Sequence, residues 1–92
     1  MNYTLKLTPE AESDIEKCRK TGDKKLLLKI NRLFDELRIH PTYGTGKPER
    51  LKHYVKSTWS RRVTAKHRLI YRIDEKEVII IVLSLWGHYS DK

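Results

Sequence analysis

From Val78 to Leu83 the chain reads VIIIVL, apolar at every position, and Leu85 and Trp86 extend the run to Gly87. Valine and isoleucine favour extended backbone, and the run is far too short to cross a bilayer. A strand with no polar side must be covered on both faces, so this one is expected inside a sheet, with another layer of structure against it. The chain has 92 residues to supply those partners, enough for one small domain spanning 1–92.

The covering layer can be read upstream. Asn2 to Leu7 alternates Tyr3, Leu5 and Leu7 with polar residues, a half-buried strand. Thr8-Pro9 then forms an N-cap followed by proline at the first helical position. Glu10, Glu12 and Asp14 suit the positive end of the helix dipole, and Lys17, Arg19 and Lys20 suit the negative end. Ala11, Ile15 and Cys18 form its narrow apolar stripe, which makes Cys18 a small core residue. Thr21-Gly22-Asp23 breaks the helix. A second runs from about Lys24 to Arg38, with Leu26, Leu27, Ile30, Leu33, Phe34 and Leu37 on its core side. Two prolines and two glycines between Pro41 and Pro48 make a loop. Extended segments follow at Arg50 to Tyr54, Thr58 to Thr64, His67 to Ile73 and Val78 to Trp86. The order β-α-α-β-β-β-β predicts an α+β fold, an antiparallel sheet with both N-terminal helices packed on one face.

Charge is distributed unevenly over this pattern. Between Thr8 and His40, eight basic residues face seven acidic ones. Between Gly44 and Tyr71, eight basic residues face Glu49 alone, which is +7 of the formal +8. Basic residues interleaved with Tyr54, Trp59 and Tyr71 suit a surface that grips phosphates and stacks bases. An anionic partner is expected, and a membrane is not, because the cations lie on no amphipathic helix. A lone cysteine excludes a disulfide framework and points to the reducing cytoplasm. The four histidines lack metal-ligand spacing, so no metal and no cofactor is expected.

Glu49 is the residue to explain. It is either one partner in a salt-bridge network on a nucleic-acid-binding face, or a general base. Metal-free RNA cleavage needs a base for the 2′-hydroxyl, cations for the charge growing on phosphate, and an acid for the leaving oxygen. Glu49, Arg68 with its neighbours, and His88 match that list in type. Among the other histidines, His40 suits a helix C-terminus, and His53 and His67 are read either as structural or as phosphate contacts.

The segments GTGKPERLKH (44–53), TWSRRVTAKHRLIY (58–71) and the terminal His88-Tyr89 resemble, in order and spacing, the motifs of the Txe/YoeB family of toxins in the RelE/ParE superfamily. The resemblance implies a RelE-like fold and a ribosome-dependent messenger-RNA endoribonuclease, restrained by a cognate acidic antitoxin. It implies Glu49 as general base, His88 as general acid, Arg68 at the scissile phosphate and Tyr89 orienting substrate. It further implies RNA contacts from Lys47, Lys52, Arg61 and Arg62, while Trp59 is read as a packing residue. Gly87 beside His88, and Ser90-Asp91-Lys92 beyond Tyr89, depart from the family pattern. Oligomeric state is left open, a homodimer included. The alternative is a toxin of the same fold that binds gyrase or the ribosome without cutting RNA; the presence of both Glu49 and His88 argues against it.

Overall fold

A computed structural model describes residues 2–52, 57–77 and 79–85. The elements are β1 (Thr4–Leu7), α1 (Pro9–Lys20), α2 (Lys24–Ile39), β2 (Glu49–Arg50), β3 (Thr58–Arg62), β4 (Arg68–Asp74) and β5 (Ile79–Ser84). Both helix starts follow their caps. Thr8 Oγ1 accepts from Ala11 N at 3.1 Å and donates to Val82 O at 3.1 Å, so one hydroxyl starts α1 and ties it to β5. Asp23 accepts from Leu26 N at 3.1 Å and starts α2.

The sheet order is β1-β5-β4-β3-β2. From β2 to β5 it is the expected antiparallel succession, but β1 lies parallel to β5, so the sheet is mixed. Strand patterning says which face a residue takes and nothing about which neighbour it pairs with, so the parallel edge emerges only in three dimensions. β5 is interior in the strand order, with Ile80 and Val82 buried under the helices; on its other face Ile79 is buried and Ile81 half-buried, and the second covering layer expected there is not seen among the described residues. The segment expected at Arg50 to Tyr54 is extended only at Glu49–Arg50 among the described residues; Tyr54 lies outside them.

Both helices cover one face. Leu26, Ile30, Leu33 and Leu37 of α2, with Ala11 and Cys18 of α1, are buried against Leu69, Tyr71, Ile80 and Val82 of the sheet. Burial raises the Cys18 thiol, with the nearby Asp14 charge adding to the effect, as suits a core residue. Asp14 has a larger part than a dipole charge. It is buried, and its Oδ2 accepts the Leu85 amide at 2.9 Å, tying α1 to the end of β5.

The correction that reshapes the reading of the chain is Arg61. Expected among the RNA contacts, it is fully buried and faces the helices. Its five N–H groups are all engaged: Nε donates to Tyr71 Oη at 3.3 Å, Nη1 to Glu36 Oε1 at 2.9 Å and Thr45 O at 3.3 Å, and Nη2 to His40 O at 2.6 Å and Tyr43 O at 2.9 Å. Tyr71, also expected near bases, is buried beside it and donates to Pro41 O at 2.5 Å. Burial pushes its hydroxyl pKa up despite the Arg61 charge, so it stays a donor. One cation therefore holds the loop 40–46 against β3. Glu36 completes the knot by accepting Thr45 N at 2.9 Å.

Desolvation alone would raise the Glu36 carboxyl, but hydrogen bonds from Thr45 and Arg61 and the Arg61 charge outweigh it, and its pKa is lowered. A carboxyl whose pKa is lower in the folded state adds stability above its unfolded pKa, and loses it as pH falls through the folded value. The stability advantage over Glu36→Gln should accordingly be full near neutrality and shrink in acid, measured by urea unfolding across pH. Arg61→Met should cost on the order of 3 kcal/mol near neutral pH, because it removes the guanidinium from the part-buried Glu36 carboxylate and from three loop carbonyls. Asp14→Ala should cost about 2 kcal/mol by leaving the Leu85 amide without its acceptor, read as a lower urea midpoint.

Candidate functional site

Strand pairing divides the cations between two faces. Directly opposed residues of neighbouring strands share a face, and adjacent residues of one strand do not. Trp59, Arg61, Leu69, Tyr71 and Ile73 face the helices; Glu49, Thr58, Ser60, Arg62, Arg68 and Arg72 face away from them. Glu49 opposes Ser60, and Arg62 opposes Arg68. Glu49 is thus two strands from Arg68 and two residues along. At about 4.8 Å between strands and about 3.4 Å per residue, their Cα atoms lie roughly 12 Å apart. A glutamate and an arginine reaching inward across that gap leave room for a phosphodiester. Glu49 and Arg62 are exposed and Arg68 is half-buried, so the group opens to solvent. The Ser60 hydroxyl, opposite Glu49 on this face, is buried and has no hydrogen-bond partner among the described residues.

The loop into β2 is shaped by backbone constraints. Arg62 N donates to Gly46 O at 2.7 Å, and a Cβ on Gly46 would come within 2.7 Å of Arg62 O. Gly46 at φ 86° and Lys47 at φ 50° both occupy the left-handed region. For lysine that conformation costs on the order of 1 kcal/mol, a strain set at the entrance of β2 two residues before Glu49. Lys47 and Lys52 are exposed on either side of β2.

Of the site residues expected from sequence, Glu49, Arg62 and Arg68 therefore share the helix-free face, and Lys47 and Lys52 flank it. Arg61 does not join them. The signal was present in the sequence: Arg61 and Arg62 are neighbours on one strand, so only one of them can face away from the helices. His88, Tyr89 and His53 lie outside the described residues. His67 belongs to the turn before β4, where its Nδ1 lies 2.8 Å from Thr64 Oγ1. Trp59 is half-buried and packs on the core while its Nε1 donates to Ser57 Oγ at 3.0 Å. No helix among the described residues is long and apolar enough to cross a membrane.

Known proteins share both the sequence pattern and the fold of this chain. Toxin YoeB of Escherichia coli K12 is 45% identical over 58 residues, covering 63% of this chain and 69% of that protein. A YoeB/ParE toxin from Agrobacterium tumefaciens superposes with a TM-score of 0.85 at 36% identity, covering 94% of this chain and 99% of that one. Staphylococcus aureus YoeB, solved as a dimer, matches with a TM-score of 0.79 at 34% identity, and in complex with YefM at 0.76 and 32%; each covers 97% of this chain and 100% of that one. The sequence model of the YoeB-like toxins matches residues 7–89, from the end of β1 through the loop, Glu49, the Arg62–Arg68 pair and β5. The chain belongs to the YoeB-like toxins of bacterial type II toxin–antitoxin systems.

Proposed function

We propose that this toxin is a metal-independent endoribonuclease that cuts messenger RNA on the ribosome in the cytoplasm and so stops translation. The observation that supports the proposal is the strand register, which sets the Glu49 carboxylate on the same helix-free face as the guanidiniums of Arg62, Arg68 and Arg72. In this reading Glu49 takes the proton from a ribose 2′-hydroxyl. The freed oxygen attacks the adjacent phosphorus, the bond to the 5′-oxygen breaks, and His88 protonates that oxygen as it leaves. Arg68, with Arg62 beside it, offsets the charge that grows on the non-bridging oxygens. Tyr89 orients the substrate. Lys47 and Lys52 hold flanking phosphates, a sequence-independent contribution to binding.

Glu49 and His88 come from distant parts of the chain, one at a short edge strand and one beyond β5. Groups so placed gain most when a large, preorganised substrate complex fixes their geometry, which supports the ribosome as the site of action. The S. aureus relative was solved in complex with YefM, and here a cognate acidic chain would be drawn to the face carrying Arg62, Arg68 and Arg72, flanked by Lys47 and Lys52. The dimer of that relative supports self-association as a second state.

Cleavage should leave a 2′,3′-cyclic phosphate and a 5′-hydroxyl. A 2′-O-methyl at the cut site should abolish it, and EDTA at a level that preserves ribosomes should not. Glu49→Gln and Arg68→Ala should each lower the single-turnover rate about a hundredfold or more, with much smaller effects on ribosome binding. Cleavage of the 2′-O-methyl message would overturn the mechanism. Association with the antitoxin should slow steeply as salt rises, measured by stopped flow at low and high ionic strength.

A further inference from the structure

The loop 40–46 carries an aromatic surface that the cleavage chemistry does not use. Tyr43 is 64% exposed. Its ring stacks on His40 with centroids 4.5 Å apart and planes 19° from parallel, so one face is backed and the other meets solvent. The pair is held rigidly. Arg61 Nη2 donates to the carbonyls of both residues, and His40 Nδ1 donates to Tyr43 O at 2.9 Å, a carbonyl being able only to accept. At Gly44 a Cβ would lie 2.6 Å from Glu36 Oε1, so the backbone there is pressed onto the same knot.

We propose that the open face of Tyr43 is a stacking platform for a nucleobase of single-stranded RNA, adjoining the cleavage site and resting on the RNA-cleaving reading of that site. The platform lies on the loop whose Gly46 carbonyl is bonded to Arg62 N, so a base on Tyr43 leaves its strand close to Lys47 and Arg62. Its surroundings select the ligand. Thr42, Gly44, Thr45 and Lys47 are all exposed, and Ile39, the exposed apolar residue next to His40, does not by itself make the continuous apolar rim that a hydrophobic protein contact needs. A base needs one flat ring, open sides and a nearby cation, and those are what the loop presents. Because Arg61 fixes the ring through backbone carbonyls, RNA binding does not have to order it.

The test uses the full chain and a single-stranded RNA carrying 2-aminopurine, 2′-O-methylated throughout so that it cannot be cut. Fluorescence of the stacked base should be quenched on binding. Tyr43→Ala and Tyr43→Leu should abolish the quenching and weaken binding roughly five- to hundredfold, the range for loss of one base–aromatic stack. Tyr43→Phe should retain both. The side chain is exposed and the loop bonds use the backbone, so these variants are expected to fold, checked by circular dichroism. Absence of quenching by the unaltered protein, or Leu binding as well as Phe, overturns the proposal. So does a Tyr43→Ala variant that holds RNA normally and loses only antitoxin affinity, which would assign the ring to the protein partner. Because the probe is uncleavable, a chain that stacks RNA and never cuts it would refute the nuclease reading alone.

Discussion

The structure depends on one buried guanidinium. Taking a charge out of water costs several kcal/mol unless each of its donors finds an acceptor. Arg61 meets that condition by drawing on α2, on β4 and on three carbonyls of the loop 40–46. The dependence runs both ways. The arginine needs the loop to satisfy its fork, and the loop, which lacks regular hydrogen bonding, needs the arginine to have a single conformation. Lysine could not substitute, since a compact ammonium with three donors cannot reach acceptors spread over three elements.

From that knot the order of the site follows. The Gly46 carbonyl is fastened to Arg62, the left-handed turn at Gly46 and Lys47 redirects the chain, and Glu49 enters β2 opposite Ser60. The short edge strand has little pairing of its own to hold it, so its position is borrowed from the loop before it and from β3. The sheet then separates two kinds of work. Its helix-covered face buries apolar side chains and the Arg61 network. Its other face gathers Glu49 and Arg62, which are exposed, with Arg68 and Arg72, which are half-buried, and access to solvent keeps like charges tolerable by screening. The arginines of β3 and β4 are thereby divided between a buried network and a helix-free face, and the stacked His40–Tyr43 pair lies on the loop that the buried network holds.

Much of the fold was legible in local pattern. The caps at Thr8 and Asp23, the apolar side of α2 and the extended, apolar character of β5 depend on residues a few positions apart, and such spacings determine local structure without reference to the rest of the chain. Family membership was legible for a related reason: the motifs around Glu49 and Arg68 are contiguous. The composition also pointed to the segment that supplies most of the basic face, although Arg61 within it is buried and Arg72 just beyond it joins that face.

What sequence alone could not assign were choices made between distant parts of the chain. Asp14 looks like an ordinary first-turn acid until the Leu85 amide, seventy-one positions away, arrives beside it. Tyr71 and Arg61 look like part of a nucleic-acid surface until strand alternation turns them toward the helices. The parallel pairing of β1 with β5 has no local signal at all. By itself the sequence determined the elements, their apolar faces and the identity of the residues that carry charge. Tertiary structure decided which of those charges became scaffold and which were left to solvent, because burial depends on which side of a strand meets the helices.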